Sequence, residues 1–318
     1  MTKIVFNDFS KGLFIEGAQE NMPAATARQL QGVHRTIIPG ELRSRNGSTL
    51  VTAKDSHSLV RFNDTRFQAE TTAFYQAGTS KRTGLDGTRL SFAVMAPTLA
   101  VADYLFCAGG GDLFKMDASG TASNWGIAIP GSAPTDATGA AGVLTGTYLY
   151  AITFVNSTSG TESNAGATSG GASPTSEKID LSAIPTSADA QVDQRNIYRT
   201  VAGGADGAFF LVASLADNTT TIYTDNIADA SLGAAIKTDN DPPLDTYEDC
   251  YGPHGGRMWW CGNTVAGAKG RVYYSPLGRA EAVEGFLDIT NDDDPTVKII
   301  AWNGNLYVFT QSEVYEIL

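Results

Sequence analysis

The amino-acid sequence predicts an all-β protein. Helix signals are scarce: residues 23–33 form the one short helical candidate, with Pro23 near its first turn and Gly32 near its end. Elsewhere, strand-length runs rich in Tyr, Phe and Val are bounded by Gly, Asp or Ser. The 318 residues are 42% hydrophobic and 18% charged, so the chain is globular and long enough for two or three cores.

The N-terminal third contains several short strand signals. Residues 34–51 predict two strands on either side of the Pro39-Gly40 turn, and Asn46-Gly47 is a second turn signal. The run YLFCAGGGDLFKMD predicts two strands joined by a turn at Gly109, Gly110 and Gly111, which we favour over a nucleotide-binding loop. Strands are also predicted in RLSFAVMAP, RVYYSP and NLYVFTQSEVYEIL.

Residues 51–133 and 239–318 have the texture of β-propeller blades. RMWWCGN, RVYYSP, KIIAWNGNLYVFT and SEVYEIL follow one another with short turns, as in a four-stranded up-and-down blade. At roughly 40 to 50 residues a blade, these regions hold about three or four blades. We therefore expect an open or incomplete propeller, whose exposed strand edges another subunit must cover.

Residues 134–238 differ from their flanks, because aromatic residues thin out and Ala, Ser, Thr and Gly dominate. Residues 146–166 alternate cleanly, which places Tyr148, Tyr150, Ile152 and Phe154 on one face. Strands spaced by roughly 10 to 20 residues are typical of a small sandwich. We predict an inserted β-sandwich of the immunoglobulin or fibronectin type III kind, projecting from the propeller with few contacts.

The stretch QRNIYRTVAGGADGAFFLVASL, residues 194–215, could be an enzyme loop, a phosphate-binding loop or a β-hairpin. Alternation puts Ile197 and Arg199 on one face of a strand, and Tyr198 and Thr200 on the other. The glycines suit a hairpin loop, and the apolar run after them suits a returning strand covered on both faces. A phosphate site is excluded because no Lys-Ser/Thr pair and no helix follow the glycines.

Taken together, these segments resemble the tail nozzle and packaged-DNA stabilisation (tail tubular) proteins of tailed bacteriophages. The resemblance rests on a Tyr-rich strand ending in Gly-Thr-Glu-Ser-Asn, on Arg-x-Ile-Tyr-Arg and on x-Tyr-Thr-Asp, which are similar to a fibronectin type III-like insert of those proteins. Residues 1–50 are interpreted as an N-terminal arm and entry strands, because residues 32–51 resemble the entry segment of those proteins. Residues 255–286 and 299–317 resemble blade strands of their propeller. Members of that family are usually longer, and this sequence stops in a strand-like run at Leu318.

The resemblance implies a structural virion protein made in the host cytoplasm. It would form a homo-oligomeric ring, a hexamer by the resemblance, that contacts the portal, the adaptor and other tail proteins. The ring would surround the DNA exit channel, retain packaged DNA and permit ejection without specific DNA binding. Two alternatives stay open: a receptor- or carbohydrate-binding tail module, and a propeller glycosidase that would need paired carboxylates about 5 to 10 Å apart.

The net charge of −12 is unevenly distributed. Residues 1–90 hold 12 Lys and Arg against 8 Asp and Glu, whereas the remainder holds 10 against 26. Solubility alone would explain the excess of acidic residues after residue 90. A basic N-terminal segment that docks on a partner, together with an acidic channel wall that repels DNA, would give the same distribution of charge. In the second case, acidic residues line the channel, and subunit or adaptor interfaces contain Arg28, Arg35, Arg43 and Arg45.

Signals for catalysis and ligand binding are weak, and we predict a protein that is not an enzyme and has no catalytic, cofactor-binding or metal-binding residues. His34, His57 and His254 have unrelated contexts, without metal-ligand spacing. The acidic run at 291–294 could bind calcium, but a solvated turn is the favoured interpretation.

The remaining signals concern the tryptophans, the cysteines and the membrane. Of the adjacent Trp259 and Trp260, one is expected in the core and the other at an interface. Three cysteines are too few for a disulfide scaffold, so they are expected to be reduced core thiols: Cys107, Cys250 and Cys261. No run of about 18 apolar residues predicts a membrane span, and residues 1–17 lack the apolar core of a secretory signal.

Overall fold

A computed structural model describes residues 33–35, 42–44, 56–99, 101–204 and 208–317. These residues form antiparallel sheets, so the predicted all-β class is confirmed. The described part of the chain contains no helix long and apolar enough to cross a membrane. Contacts divide the chain into two units, Met1–Lys54 and Asp55–Leu318.

The first unit contains one described pair of strands, β1 (Val33–Arg35) and β2 (Leu42–Ser44). They are antiparallel, with His34 opposite Arg43, as predicted for strands around Pro39-Gly40. The helical candidate lies outside the described residues except for Val33, which begins β1. Arg28 and Arg45 also lie outside them, so the interface role of the four arginines stays a prediction.

The second unit begins with two four-stranded meanders, in which strands adjacent in sequence are also adjacent in the sheet. Meander I comprises β3 (Ser56–Phe62), β4 (Thr65–Glu70), β5 (Ala73–Gln76) and β6 (Thr79–Thr83). Meander II comprises β7 (Ser91–Met95), β8 (Tyr104–Ala108), β9 (Phe114–Met116) and β10 (Ala122–Asn124). The predicted glycine turn joins β8 to β9, with φ of 88°, 73° and 70° at Gly109, Gly110 and Gly111, a conformation that favours glycine.

The insert follows as two sheets. One has the order β11 (Thr135–Thr145), β14 (Thr175–Ser182), β17 (Tyr223–Asp225). The other has the order β13 (Thr161–Glu162), β12 (Tyr150–Asn156), β15 (Gln194–Arg199), β16 (Phe210–Leu215). One hydrophobic cluster draws on both sheets, with Leu144 and Ile179 from the first and Tyr150 and Ile197 from the second. The two sheets therefore pack face to face on a common core.

Two more meanders complete the described chain. Meander III comprises β18 (Asp249–His254), β19 (Arg257–Cys261), β20 (Arg271–Tyr274) and β21 (Gly285–Asp288). Meander IV comprises β22 (Thr296–Trp302), β23 (Asn305–Thr310) and β24 (Val314–Ile317). Both again pair their strands in sequence order.

The four meanders stack face to face, because central strands bury side chains on both of their faces. On β8, Leu105 and Cys107 pack against meander I, and Phe106 packs against meander III. On β19, Trp260 packs towards meander II and Cys261 towards meander IV. The resulting order is I, II, III, IV.

The stretch 194–215 is the predicted hairpin, with β15 antiparallel to β16. Ile197 belongs to the inner cluster of the insert and Tyr198 to a second cluster on the opposite face, so the predicted alternation is confirmed. Both faces of β16 contact a cluster, Val212 on the inner face and Leu211 on the opposite face, although most of its residues are only half-buried. Phe154 also packs apart from Tyr150, with Ile127 and Val192.

The two arginines of the Arg-x-Ile-Tyr-Arg strand are buried and carry internal ion pairs. Arg195 lies 2.9 Å from Asp217, and Arg199 lies 2.7 Å from Asp225. Asp225 also accepts the hydroxyl hydrogen of Tyr150 at 2.8 Å. Burial, and then the neighbouring Asp225, raises the pKa of Tyr150, which keeps this phenol protonated. The two arginines of the Arg-x-Ile-Tyr-Arg strand therefore stabilise the interior of the insert.

Replacing Arg199 by Leu should destabilise the fold by about 3 to 5 kcal/mol, because it leaves the buried Asp225 carboxylate without its cation. The free energy of unfolding in urea measures the effect. Arg61→Leu is the control, since its partner Asp64 and Arg61 itself are exposed, and it should cost about 1 kcal/mol or less. Equal losses in the two variants would contradict the argument.

Candidate functional site

The residues weighed from the sequence do not assemble into a catalytic or metal centre in the described structure. His57 lies on β3 and His254 on β18, in different meanders. His34 lies on β1, in the first unit. Among residues 33–35, 42–44, 56–99, 101–204 and 208–317, no group of three or more His, Cys, Asp or Glu could hold a metal ion.

The acidic run at 291–294 forms a hydrogen-bonded turn. Asp292 accepts hydrogen bonds from the backbone N–H groups of Gly267 and Lys269 at 2.5 and 3.1 Å. Asp294 accepts from the hydroxyls of Thr310 and Ser312 at 2.8 and 2.7 Å. These carboxylates thus connect the segment before β22 to neighbouring loops.

The tryptophans and cysteines are packing residues. Trp260 is fully buried between meanders II and III, which confirms the predicted core tryptophan. Trp259 is half-buried against meander IV, and its indole N–H donates to the carbonyl of His254 at 3.1 Å, so it packs within the chain. The three cysteines are free and buried, as predicted, and burial raises the pKa of each thiol: Cys107, Cys250 and Cys261.

The candidate site is a cleft of about 390 Å³ between the insert and the meanders, which we call the insert cleft. Four chain segments line it: residues 97–99 after β7, residues 160–162 at β13, residues 237–240 after the insert, and residues 277–282 between β20 and β21. The cleft exists only because the insert lies against meanders II and III.

The floor of the insert cleft is built around the buried carboxylate of Glu281. Lys115 of β9 forms a buried ion pair with Glu281. Gly126 donates its backbone N–H to the same carboxylate at 3.1 Å, and Thr161 of the insert donates its hydroxyl at 2.9 Å. One side chain therefore joins meander II, the loop before β21 and the insert.

Beside the floor, Glu162 is held by donors from two neighbouring strands. Its Oε1 accepts hydrogen bonds from Thr153 at 2.5 Å, Asn196 at 2.9 Å and Tyr198 at 2.8 Å. The strand register explains why these donors converge. Thr153 of β12 lies opposite Asn196 of β15, and Glu162 of β13 lies opposite Val155. Val155 is two residues after Thr153 on β12, so Glu162 lies on the same face of the sheet as Thr153 and Asn196. Burial, and then Glu162, raises the pKa of Tyr198, so its hydroxyl stays a donor.

Arg279 holds in place the segment that follows the insert in the sequence and lines one side of the cleft. Its guanidinium forms an ion pair with Asp239 and donates to Oδ1 of Asn240 at 2.5 Å. The hydrogen bond from Arg279 lowers the pKa of Asp239. Asn164 of the insert donates to Asp241 at 2.7 Å and accepts from the backbone N–H of Asn240 at 3.0 Å.

The insert is therefore firmly docked, which differs from the expectation of few contacts. Beyond the Glu281 and Asn164 networks, Thr98 donates its hydroxyl to the carbonyl of Ser159 at 2.8 Å. Gln191 donates to the carbonyl of Gly126 at 2.9 Å. The low aromatic content that suggested a loose insert was misleading, because the docking contacts are mostly polar.

A second cleft of about 500 Å³ lies between β10 and the insert loops around residues 156–158 and 188–193. Its carboxylates hydrogen-bond to their surroundings: Asp117 accepts from Ser119 and Thr121, and Asp193 accepts from Ser157. Asp189 accepts from Gln191. These contacts give the loops their shape.

Sequence reasoning did not identify this site. The Gly-Thr-Glu-Ser-Asn segment, which was noted only for its resemblance to an insert, supplies Thr161, Glu162 and Asn164, and the polar residues of this motif were the one local signal that could have pointed to the site. Glu281 and Lys115 carry no local signal, because they are 166 positions apart and only packing brings them together.

No protein-family model matches the chain, and a search of curated proteins gave no match. Solved structures with some likeness include a computationally designed protein, Ika8, at 8% identity and a TM-score of 0.16, covering 83% of this chain and 96% of that one. Another is PorZ, a surface component of the type-IX secretion system of Porphyromonas gingivalis, at 11% identity and a TM-score of 0.20. The match covers 85% of this chain and 34% of PorZ. A gluconolactonase from Xanthomonas campestris has 12% identity and a TM-score of 0.16, and the match covers 84% of this chain and 86% of the gluconolactonase. Likeness this low carries no argument about fold or function.

Glu281→Gln should weaken the contact between meander II and the loop before β21, against which the insert is docked, because it leaves the buried ammonium of Lys115 unpaired. We expect a loss of about 3 to 5 kcal/mol in unfolding free energy and faster proteolysis in residues 126–134 and 236–248. Thr161→Val is the matched variant: it leaves the Lys115–Glu281 pair intact and removes the hydroxyl that donates to Glu281 and accepts from Ser159, so it should lose about 1 to 2 kcal/mol. If neither variant changes proteolysis of these linkers, Glu281 does not hold the insert.

The contact made by Asp294 should weaken in acid. The hydrogen bond from Ser312 lowers the pKa of Asp294, so the stabilisation is complete above the ordinary aspartate pKa and is lost as pH falls through the lowered value. Amide protection at residues 310–313, which is the exchange rate relative to that of an unfolded peptide at the same pH, should therefore fall on acidification below about pH 4. In Asp294→Asn this loss of protection should disappear. Exchange that follows the same pH profile in both proteins would refute the assignment.

Proposed function

We propose that this protein is a structural component of a tailed-bacteriophage tail, a nozzle or head-proximal completion ring around the DNA exit channel. It acts mechanically: it retains packaged DNA and then lets it pass. The support comes from the sequence resemblance and from one surface of the structure that fits a subunit of an assembly.

That surface is the outer face of meander IV. Strand register puts Ile300, Tyr307, Phe309 and Val314 on the face opposite the cluster shared with meander III, with Trp302 at one corner. The charged residues Lys298 and Glu316 lie on the same face. Trp302 is 68% exposed and Val314 is 55% exposed. None of the other described meanders packs against this face.

A sheet face on which exposed aromatic and aliphatic side chains lie beside charged ones is typical of a surface that another protein covers. The apolar inner faces of the meanders each take a neighbouring sheet. We therefore assign the outer face of meander IV to contact with another subunit, as a ring requires. A heterologous contact of this kind closes into a ring when its rotation allows.

The glycosidase alternative is less favoured, because the carboxylates of the insert cleft already have internal partners. Glu281 is paired with Lys115, and one oxygen of Glu162 accepts three hydrogen bonds. A general acid needs a proton to give to the leaving group, and an ion-paired carboxylate is a poor source of one. An acidic channel wall stays a prediction, which the charge imbalance of the sequence motivates.

Assembly through meander IV can be tested with the double variant Trp302→Glu/Val314→Glu. Both side chains are exposed, so the fold should persist, whereas two carboxylates in an apolar interface should reduce self-association at least about tenfold. Sedimentation velocity across a concentration series measures it. Ile222→Glu is the control, an exposed apolar residue on the insert that should leave assembly unchanged.

Location in a virion is tested separately. Antibodies against the purified protein should label tailed particles at the head–tail junction or along the tail axis, and a reconstruction should show a ring coaxial with the portal. Peripheral trimers would instead favour the receptor-binding alternative. Absence of the protein from purified particles would refute the proposal.

A further inference from the structure

We propose that the insert cleft binds a Lys or Arg side chain presented by a partner protein, with Glu162 as the residue that receives the cation. This site is separate from the outer face of meander IV, and the proposal does not depend on assembly through that face. It rests on a fixed carboxylate, on apolar walls and on the balance of charge in the cleft.

The first support is the way in which Glu162 is held. Three donors from residues that are themselves buried, Thr153, Asn196 and Tyr198, all converge on its Oε1. The residue itself is half-buried and lines the cleft. Its carboxylate is therefore preorganised, and the hydrogen bonds that fix it all use Oε1, which leaves Oε2 as the acceptor for a ligand.

The second support is the apolar lining at the mouth. Leu99 is 87% exposed and Leu277 is 66% exposed, which is unusual for two leucines that line one cleft. Gly278 permits their approach, because a Cβ there would lie 2.7 Å from Cγ of Leu99. The aliphatic stem of a Lys or Arg side chain packs on such walls while its charged end reaches a carboxylate.

The third support is the charge balance. Glu281 and Arg279 already have internal partners, Lys115 and Asp239, so neither presents an uncompensated charge. That leaves Glu162 and the exposed Lys237. Glu162 is fixed in place whereas Lys237 is a flexible surface side chain, so the preorganised group decides the sign of the ligand. Lys237 then opposes binding mildly.

The probe is the blocked tripeptide acetyl-Gly-Arg-Gly-amide, with its citrulline analogue as the neutral probe of the same shape. Binding is measured by titration with NMR detection of the leucine methyl groups. We expect the arginine peptide to bind at least about tenfold more tightly than the citrulline peptide, and to weaken with added salt. Glu162→Gln, whose amide oxygen can still accept from the three donors, should abolish this preference.

Two further variants sharpen the test. Lys237→Ala should strengthen binding of the arginine peptide about two- to fivefold, because it removes a like charge. Leu277→Ser, at an exposed position, should weaken binding of both peptides and stays informative if Glu162→Gln folds poorly. Asp103→Asn is the control, an exposed carboxylate outside the cleft that should change nothing.

Three results would overturn the proposal. The first is equal affinity for the arginine and citrulline peptides, and the second is weaker arginine binding in Lys237→Ala. The third is binding of a neutral sugar, probed with maltotriose, that depends on Glu162 while the arginine peptide does not bind. That last outcome would make the cleft a carbohydrate site.

Discussion

The architecture of this protein depends on burying both faces of the central strands in meanders II and III. A meander with one covered face can stand at a surface, but β8 has apolar residues at every position and is buried throughout. It needs a sheet on each side, and meanders I and III provide them. The same constraint acts on β19, where adjacent residues serve different cores. Stacking is thus a consequence of strand composition.

Polar groups have a different role from apolar packing in this structure. The buried Lys115–Glu281 pair joins meander II to the loop before β21, and Thr161 of the insert donates a hydrogen bond to the same carboxylate. Within the insert, Arg195 and Arg199 are likewise buried with acidic partners. Buried ion pairs add little net stability, yet losing one partner is costly, so they favour one arrangement over its alternatives.

The surfaces on which the proposals rest follow from these two kinds of contact. Stacking leaves the outer face of meander IV uncovered by the other described meanders, with Trp302 and Val314 exposed. Polar docking leaves the insert cleft, where Glu162 is fixed in a half-buried position. The proposed function, a subunit of a ring, would use such surfaces to contact its neighbours.

The sequence by itself determined the local structure. Alternation and turn residues predicted the β-strands, the hairpin at 194–215 and the glycine turn at 109–111, because these depend on neighbours a few positions away. Adjacent tryptophans also had to face opposite ways, which made one of them a core residue.

Only the tertiary structure decided what those strands pack against and which side chains form the cleft. Arg195 and Arg199 could be placed on a strand from the sequence, but their partners lie 22 to 30 positions away. Thr161 meets Glu281 across 120 positions, and Lys115 meets it across 166. Such pairs have no periodicity to reveal them, because sheet stacking and the docking of the insert, rather than chain-local geometry, bring them together.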